Sequence, residues 1–287
     1  MFAASETTPI ILRDVDSIAE MRAIEDLQIE VWGDAERDIV PLNQLVASRY
    51  VGGSLIGAFD NEKLAGFVYG FYGHVRRRAV HHSHMLAVLP AYRNHNLGFR
   101  LKIAQRERVL ADRLTNRMTW TFDPLQSLNA YFNFVKLGVI SDTYKINVYG
   151  ERGGSFLHQN GTDRLFVTWI LDSPRIDQRI AGDPPQKTEI VTQLALPLVT
   201  HSQSNSPESQ GAIRAISAAD FVSIEIPADI NSVERADLEL ASRWREETRA
   251  AFTEALAAGF TVTDYYLKTE RTGIYLLKKM SLDDVGL

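Results

Sequence analysis

The 287-residue sequence contains no cysteine. This excludes a disulfide framework, a cysteine nucleophile and thiolate-bound zinc or iron–sulfur sites, and it fits a reducing compartment. Long apolar runs are also missing, and the N-terminus lacks the basic start and apolar stretch of a signal peptide. We therefore predict a cytoplasmic protein that does not cross a membrane.

The sequence has no excess of positive charge either. Its formal net charge is −5 and its pI is near 5.8, so no general attraction to nucleic acid or to an anionic membrane is expected. Any phosphate-binding region must then be a local feature of one loop. The apolar fraction of 45% and the charged fraction of 23% are typical of a globular protein with a sizeable core.

The spacing of apolar residues predicts an α+β fold. Up to residue 171 the predicted order is strand, two helices, three strands, helix, strand, helix and two strands, which gives a mixed sheet with helices on its faces. The predicted elements include helices at residues 99–114 and 127–137 and strands at residues 81–89 and 144–149.

The composition changes after residue 171. A stretch rich in Pro, Asp and Arg is followed by one rich in Ser, Gln and Asn, and then by a strand, one long helix at residues 232–258 and two strands. We predict an N-terminal domain at residues 1–172, a linker and irregular segment at 173–212, and a C-terminal β-α-β-β subdomain at 213–287.

The segment at residues 88–101 is the most informative. A strand ends at Pro90, and a short loop of small and polar residues leads into a basic helix. Backbone N–H groups at a helix N-terminus lack partners within the helix, and the helix dipole is positive there, so such a loop can bind an anion. The glycine patterns of P-loop nucleotidases and dinucleotide folds are absent, which favours a diphosphate held by backbone amides. A plain strand–loop–helix connection is the alternative.

This loop resembles the diphosphate loop of the GNAT superfamily of acyl-CoA N-acyltransferases. The superfamily pattern is Arg/Gln-x-x-Gly-x-Gly/Ala after a strand that ends in Val-x-Pro. Arg93 and Gly98 match it, while Asn96 stands where glycine is expected; Asn is the non-glycine residue that most easily adopts a positive φ. The resemblance implies an α/β/α layered fold with a mixed, mostly antiparallel sheet, and acetyl-CoA or succinyl-CoA as co-substrate.

The resemblance also implies where CoA binds. Amides of the loop would hold the diphosphate, and the backbone of the preceding strand would lie along the pantetheine and polarise the thioester carbonyl. Asn129, on a later helix, would cap that helix or bond to pantetheine. The predicted CoA-binding residues are Leu86, Ala87, Val88, Arg93, Asn94, His95, Asn96, Leu97, Gly98, Phe99, Arg100 and Asn129.

Residues 129–138 are similar to a second GNAT motif, the helix Ala-x-x-x-Phe/Tyr-x-Lys-x-Gly. In these enzymes a tyrosine four residues before the glycine often protonates the leaving thiolate, and Phe134 stands at that position here. Tyr131, three residues earlier and on nearly the same helix face, is the predicted substitute acid. A half-buried aromatic of a core helix is the alternative interpretation.

The predicted general base is a histidine. An amine attacks a thioester only when neutral, so a base that titrates near neutrality is valuable. His82 and His84 are two residues apart on a strand and therefore share one face; His84 is nearer the expected thioester and is favoured, with His82 as the alternative. Either could instead be an ordinary core or surface histidine. With no cysteine and no helical His-x-x-x-His pair, we predict no metal site.

Trp120 and Asp123 are the predicted substrate contacts. Asp123 would bind the substrate ammonium, or else form a turn before Pro124 and cap the next helix. The amino-acid sequence around these residues, together with Trp244, Arg245 and Arg249, resembles a branch of the GNAT superfamily with longer chains. Some members of that branch look like succinyl-CoA:amino-acid N-succinyltransferases. The two arginines would bind a carboxylate or form surface ion pairs.

These observations predict an enzyme that moves an acetyl or succinyl group from CoA to the amine of a small molecule, with an amino acid as the expected acceptor. No nucleic-acid or membrane partner is expected, and a homodimer is left open. Two other classes remain as alternatives: a non-catalytic acyl-CoA-binding regulatory module, and a protein-interaction scaffold.

Overall fold

The computed structural model describes residues 9–33, 39–93, 95–150, 160–183, 195–201, 207–209, 216 and 218–280. They divide into two compact units, one formed by the described residues up to Thr119 and the other by those from Trp120 onwards. No helix in the described ranges is both long and apolar enough to cross a membrane.

The first unit contains the strands that carry most of the predicted site. Its elements are β1 (Ile11–Asp14), α1 (Ile18–Trp32), α2 (Leu42–Tyr50), β2 (Ser54–Asp60), β3 (Lys63–Val75), β4 (Arg78–Val88), α3 (Leu97–Asp112) and the start of β5 (Arg117–Phe122). Strands β1 to β4 pair antiparallel in chain order. β5 joins β4 in parallel, with His81 opposite Met118 and His82 opposite Thr119. The element order predicted for this part of the chain is confirmed.

Helices cover both faces of this sheet. Met21 and Ile24 of α1 belong to one apolar core with Phe67 of β3, whereas Leu97 and Leu101 of α3 belong to a second core with residues of β2 and β3. Alternate side chains of a strand point to opposite faces, so β2 and β3 contribute to both cores. The predicted α+β fold with a mixed sheet between helical layers is confirmed.

The ends of the helices follow local chemistry. α1 begins with a capping box, in which Ser17 Oγ accepts from Glu20 N and Glu20 Oε2 accepts from Ser17 N. α3 starts two residues earlier than predicted, directly after Asn96, and ends two residues earlier, at Asp112; the following Arg113 adopts a left-handed conformation.

The second unit has its own sheet and core. Its further elements are α4 (Ser127–Ala130, continued as a π-helix over Tyr131–Leu137), β6 (Ile140–Lys145), β7 (Arg164–Ile170), α5 (Pro174–Ile180), β8 (Leu196–His201), β9 (Pro207–Ser209), β10 (Phe221–Pro227), α6 (Ile230–Ala236), α7 (Leu238–Ala257), β11 (Phe260–Leu267) and β12 (Thr272–Lys279). The strand order is β7-β6-β11-β12-β10-β8-β9. Large aromatic side chains fill the interior, among them Trp169, Trp244 and Tyr275.

Three predicted elements of this unit differ from the structure. The single helix at 232–258 is two helices, because Asp237 adopts an extended conformation and caps α7 by accepting from Leu240 N. The strand predicted at 144–149 lies at Ile140–Lys145, where residues 140 and 141 are buried. The segment at 173–212, predicted to be irregular, contains α5, β8 and β9. The domain boundaries at 172 and 212 stay a prediction.

Candidate functional site

Strand β4 contains a β-bulge at His84. Tyr69 of β3 pairs with Met85 and Gly70 pairs with Ser83, so His84 is the extra residue. The bulge shifts the alternation of side chains by one: Met85 and Ala87 pack in the core of α1, while Leu86 and Val88 pack in the core of α3.

Two predicted catalytic histidines lie side by side where the bulge begins. The ring centroids of His82 and His84 are 6.2 Å apart, and each ring lies within 5.7 Å of the Phe71 ring. The prediction that both residues share one face of the strand is therefore confirmed. His82 Nδ1 also lies 3.1 Å from Thr119 Oγ1, and the His84 side chain is exposed at the surface.

The environment keeps these imidazoles uncharged. Burial lowers the pKa of His82 to about 4, with a further contribution from neighbouring His84. The His84 residue is exposed, but its ring packs against the Tyr69 and Phe71 rings, and this partial desolvation lowers its pKa as well. At neutral pH both rings therefore have a nitrogen lone pair ready to accept a proton, although a base of low pKa accepts it with less driving force. In the described part of the chain, no cluster of three acidic or histidine side chains is arranged to hold a metal ion.

Strands β4 and β5 pair over a short distance. The ladder includes His81 and His82 of β4, and it stops where the bulge begins. Within the described residues, the rest of β4 up to Val88 has its ladder partners in β3. The edge of β4 that faces away from β3 therefore presents backbone N–H and C=O groups just beyond His84.

The N-terminus of α3 has the geometry predicted for an anion site. Asn96 has φ 56° and ψ 20°, so asparagine does adopt the left-handed conformation expected of a glycine there, and its side chain makes no capping hydrogen bond. The N–H of Arg100 is the first to bond within the helix, to Asn96 O at 3.1 Å. The N–H groups of Leu97, Gly98 and Phe99 precede it at the positive end of a 16-residue helix.

Gly98 has room for a side chain, although it carries none. A methyl group built on its Cα would have Leu86 Cδ2 as its nearest neighbour, at 3.5 Å, which is ordinary van der Waals contact. The chain itself therefore does not require glycine at this position. A small residue at this position fits a backbone that a ligand approaches closely.

The cationic residues of the loop have their own contacts. Arg93 Nε donates to Val88 O at 3.4 Å, and Arg100 donates to Ile10 O at 2.9 Å; both side chains are exposed. His95 is exposed as well. Asn94 lies outside the described residues, so its predicted role stays a prediction.

In the second unit, Asp123 forms an ion pair that the sequence did not predict. Arg245 donates to both carboxylate oxygens at 2.7 Å, and its side chain is almost fully buried. Asp123 Oδ1 also accepts from Leu125 N at 2.9 Å, which is the turn-forming role considered as the alternative. A substrate ammonium would have to compete with Arg245 for this carboxylate. Arg249 likewise pairs with the buried Asp163.

Tyr131 and Phe134 do not share a helix face, contrary to the prediction. Phe134 is fully buried against Phe122 and Tyr275, whereas Tyr131 is 36% exposed. The helix is π-helical here, with Gly138 N bonded to the carbonyl five residues earlier, and this wider turn increases the angle between positions three residues apart.

The remaining predicted residues of the second unit have contrasting positions. Trp120 is buried, donates from Nε1 to Asn133 Oδ1 at 3.1 Å and packs edge-on against Trp169. Asn129 is exposed. Trp120 therefore belongs to the interior, while Asn129 and Tyr131 are accessible from outside.

A bulged central strand, an antiparallel sheet with one parallel neighbour, and an uncapped helix after a Pro-terminated strand together define the GNAT fold. Residues 18–134 match the model of the acetyltransferase (GNAT) family. The match covers less than half of the chain, and it shows that this part of the chain is similar to a GNAT acetyltransferase domain. The predicted class of enzyme, an N-acyltransferase of GNAT type, is confirmed at this level. No curated protein matches the chain.

Solved acetyltransferase structures also resemble the chain. The ribosomal-protein-S18-alanine N-acetyltransferase of Escherichia coli is 13% identical, with 57% of this chain and 94% of that chain covered and a TM-score of 0.44. The putative acetyltransferase yncA of Salmonella typhimurium, solved with acetyl-CoA, is 17% identical over 57% and 95%, with a TM-score of 0.44. Arabidopsis thaliana Naa50, solved with a bisubstrate analogue, is 15% identical over 55% and 97%, with a TM-score of 0.42.

Proposed function

We propose that this chain is an acyl-CoA-dependent N-acyltransferase that binds CoA at the N-terminus of α3 and along the second half of β4. The observation that carries the proposal is the uncapped start of α3. Three successive N–H groups, at Leu97, Gly98 and Phe99, follow a left-handed Asn96 whose side chain does not cap them.

A diphosphate suits this position electrostatically. The chain as a whole is negative, so its general field does not attract an anion. The helix dipole and the three amide donors supply a local positive site instead, and backbone donors bind phosphate oxygens without a lysine or a metal ion. Arg93 and Arg100 are exposed near either end of the loop and add charge.

The edge of β4 provides the next part of the site. Pantetheine carries two amide groups, which pair naturally with the backbone N–H and C=O groups of an open strand edge. We propose that the backbone of Leu86, Ala87 and Val88 binds it in this way. A backbone N–H near the bulge would then donate to the thioester oxygen, which gains negative charge when the amine attacks.

His84 is the proposed general base. Its ring is exposed, lies at the bulge and is unprotonated at neutral pH because its pKa is lowered. It would accept a proton from the substrate ammonium, so that the neutral nitrogen attacks the thioester carbon. The carbon–sulfur bond breaks as the amide bond forms, and the CoA thiolate leaves and takes up a proton. His82, 6.2 Å away between centroids, is the alternative base.

The acceptor is proposed to be the amine of a small molecule, with an amino acid as the first candidate and acetyl or succinyl as the transferred group. The support is the likeness of residues around Trp120 and Asp123 to the longer-chain GNAT branch. Tyr131 as the acid and Asp123 as the ammonium ligand remain predictions from the sequence, as do the cytoplasmic location and the homodimer.

Two assays test the proposal. Calorimetry with CoA, acetyl-CoA and succinyl-CoA measures binding, and a free-thiol assay with a panel of amino acids and other amines measures transfer. We expect micromolar binding and thiol release that depends on the amine. Binding of CoA without thiol release for any amine would favour the alternative, a non-catalytic acyl-CoA-binding regulatory module. Phe134 at the position of the usual tyrosine acid is the reason for keeping this alternative. No binding at all would contradict the proposal.

A further inference from the structure

A continuous chain of buried polar side chains connects α3 to the strands of the first unit. Lys102 Nζ donates to Ser83 Oγ at 2.7 Å, and Ser83 Oγ donates to Gln105 Oε1 at 2.7 Å. Gln105 Nε2 in turn donates to Ser54 Oγ at 2.9 Å, and Ser54 Oγ lies 3.0 Å from His81 Nε2. None of the five side chains is more than 4% exposed.

Burial of the Lys102 amine has a high free-energy cost. Burial lowers the pKa of Lys102 well below its ordinary value, so its amine is driven towards the neutral form. An apolar side chain of similar length would fill the same space without that cost. The neighbouring strand also makes room for the polar chain: a methyl group on Gly70 would lie 2.3 Å from His81 Cε1 and 2.9 Å from Gln105 Nε2.

Ser83 connects the chain of buried polar side chains to the proposed CoA site. Ser83 directly precedes His84, the bulged residue that we propose as the base. Lys102 and Gln105 lie on successive turns of α3, the helix whose first N–H groups we propose to bind the diphosphate. The two hydrogen bonds to Ser83 therefore fix the reacting end of the site to the element that holds the other end of CoA.

We propose that Lys102 is a positioning residue, whose amine fixes Ser83 and thereby the bulge that presents His84 at a set distance from the N-terminus of α3. Lys102 itself faces the opposite side of β4 from the histidine pair and does not contact the reacting atoms. The inference rests on the proposed function, since His84 and the amides of α3 are assigned their roles there.

The role can be separated from simple packing by comparing activity with stability. Lys102→Met keeps the length of the side chain and removes the amine. We expect its melting temperature to equal or exceed that of the wild type, and its CoA dissociation constant to stay within about threefold, because the amides of α3 are intact. We expect kcat to fall by about tenfold or more, since displacements of about 1 Å from the productive geometry can cost up to ~10²-fold.

Ser83→Ala removes the other partner of the same hydrogen bond and should have the same effect on kcat. If the two residues act through one contact, the double variant should be no slower than either single variant. Lys278→Met, the same substitution at an exposed lysine of β12, is the matched control and should retain wild-type kcat. If Lys102→Met fails to fold, Lys102→Gln and Ser83→Ala replace it in the comparison.

A structural readout makes the test independent of turnover. The methyl carbon of Met85, the residue after His84, is one of five methionine signals in an NMR spectrum of the labelled wild type and of Ser83→Ala. Lys102→Met and Lys278→Met each add a sixth signal, that of the new methionine. We expect this signal to shift in Lys102→Met and in Ser83→Ala, and to be unchanged in Lys278→Met. Wild-type kcat together with an unshifted Met85 signal would overturn the inference. Failure of the wild type to bind CoA would instead overturn the proposed function, while the Met85 shift would still report whether Lys102 fixes the bulge.

Discussion

Ser83 and His84 are neighbours in β4 whose side chains face opposite sides of the sheet. Ser83 is buried under α3, where it bonds to Lys102 and Gln105, while the His84 ring is exposed beside His82. Ordinary strand alternation gives this arrangement, and the bulge at His84 shifts the alternation only from Met85 onwards. A fixed backbone with an exposed base is what proton transfer in an acyltransferase requires.

Replacement of His84 by glutamine tests its assignment as the base. We expect kcat/KM to fall by about 10²–10⁴-fold, the usual effect of losing a general base, with CoA affinity unchanged. His74→Gln, at an exposed histidine of β3, is the control. Since the His84 pKa is lowered from 6.5, the wild-type rate should be independent of His84 titration at neutral pH and should fall only in more acid solution. Undiminished turnover in His84→Gln would remove this residue from the mechanism.

Replacement of Tyr131 by phenylalanine tests the predicted acid. The hydroxyl is accessible from outside the protein, so its removal should not disturb the core. We expect kcat to fall by ~10²-fold if it protonates the thiolate, with no change in the melting temperature. Tyr50→Phe, at a tyrosine that is 87% exposed on α2, is the control and should keep the wild-type kcat and melting temperature. Equal rates for both variants would assign Tyr131 a surface role only.

The buried ion pair of Asp123 and Arg245 should contribute to the free energy of unfolding. Asp123→Asn leaves a buried guanidinium without its anion, which should lower the free energy of unfolding by about 3–5 kcal/mol. The control is Asp14→Asn, which removes the partner of Arg108 in an exposed pair and should cost at most ~1 kcal/mol. Urea unfolding measures both. A stable Asp123→Asn variant with a raised KM for the amine would show that Asp123 binds substrate instead.

The buried His81 predicts how stability depends on pH. Burial lowers its pKa to about 3, from 6.5 in the unfolded chain. Between these values the unfolded chain binds the extra proton, so the free energy of unfolding should fall as the solution is acidified below about pH 6.5. His81→Asn should reduce this slope by up to about 1.4 kcal/mol per pH unit, whereas His74→Asn, at an exposed position, is the control. Equal slopes for His81→Asn and the wild type would show that His81 does not carry the effect.

Much of the fold was predictable because its signals are local. Short apolar runs on either side of a turn indicated strands β2 and β3 of the first unit, and the region before α3 was recognisable from Pro90, Asn96 and Gly98. The left-handed conformation of Asn96 follows from the chemistry of its side chain, which tolerates positive φ better than other non-glycine residues.

The features that the sequence did not predict depend on contacts between distant residues. Lys102 points into the core because it bonds to Ser83, nineteen residues away. The basic sequence of the helix does not distinguish this buried lysine from its solvent-exposed neighbours. The ion pair of Asp123 with Arg245 joins residues 122 positions apart. The π-helix separates Tyr131 from Phe134 although the sequence spacing suggested a shared face, because periodicity assumes regular α-helical turns.

The affinity of a Gly98→Asp variant for CoA is the sharpest test of a diphosphate site at the N-terminus of α3. A Cβ atom at this position meets no atom of the chain closer than 3.5 Å, and an acidic side chain is favourable in the first turn of a helix, so the variant should fold with a stability near that of the wild type. Calorimetry should show CoA binding weakened by about tenfold or more, which corresponds to ~1.4 kcal/mol, because the added carboxylate repels the diphosphate. Gly73→Asp, at a similarly unobstructed glycine of β3, should bind CoA like the wild type. Equal CoA affinity for Gly98→Asp and the wild type would contradict this site.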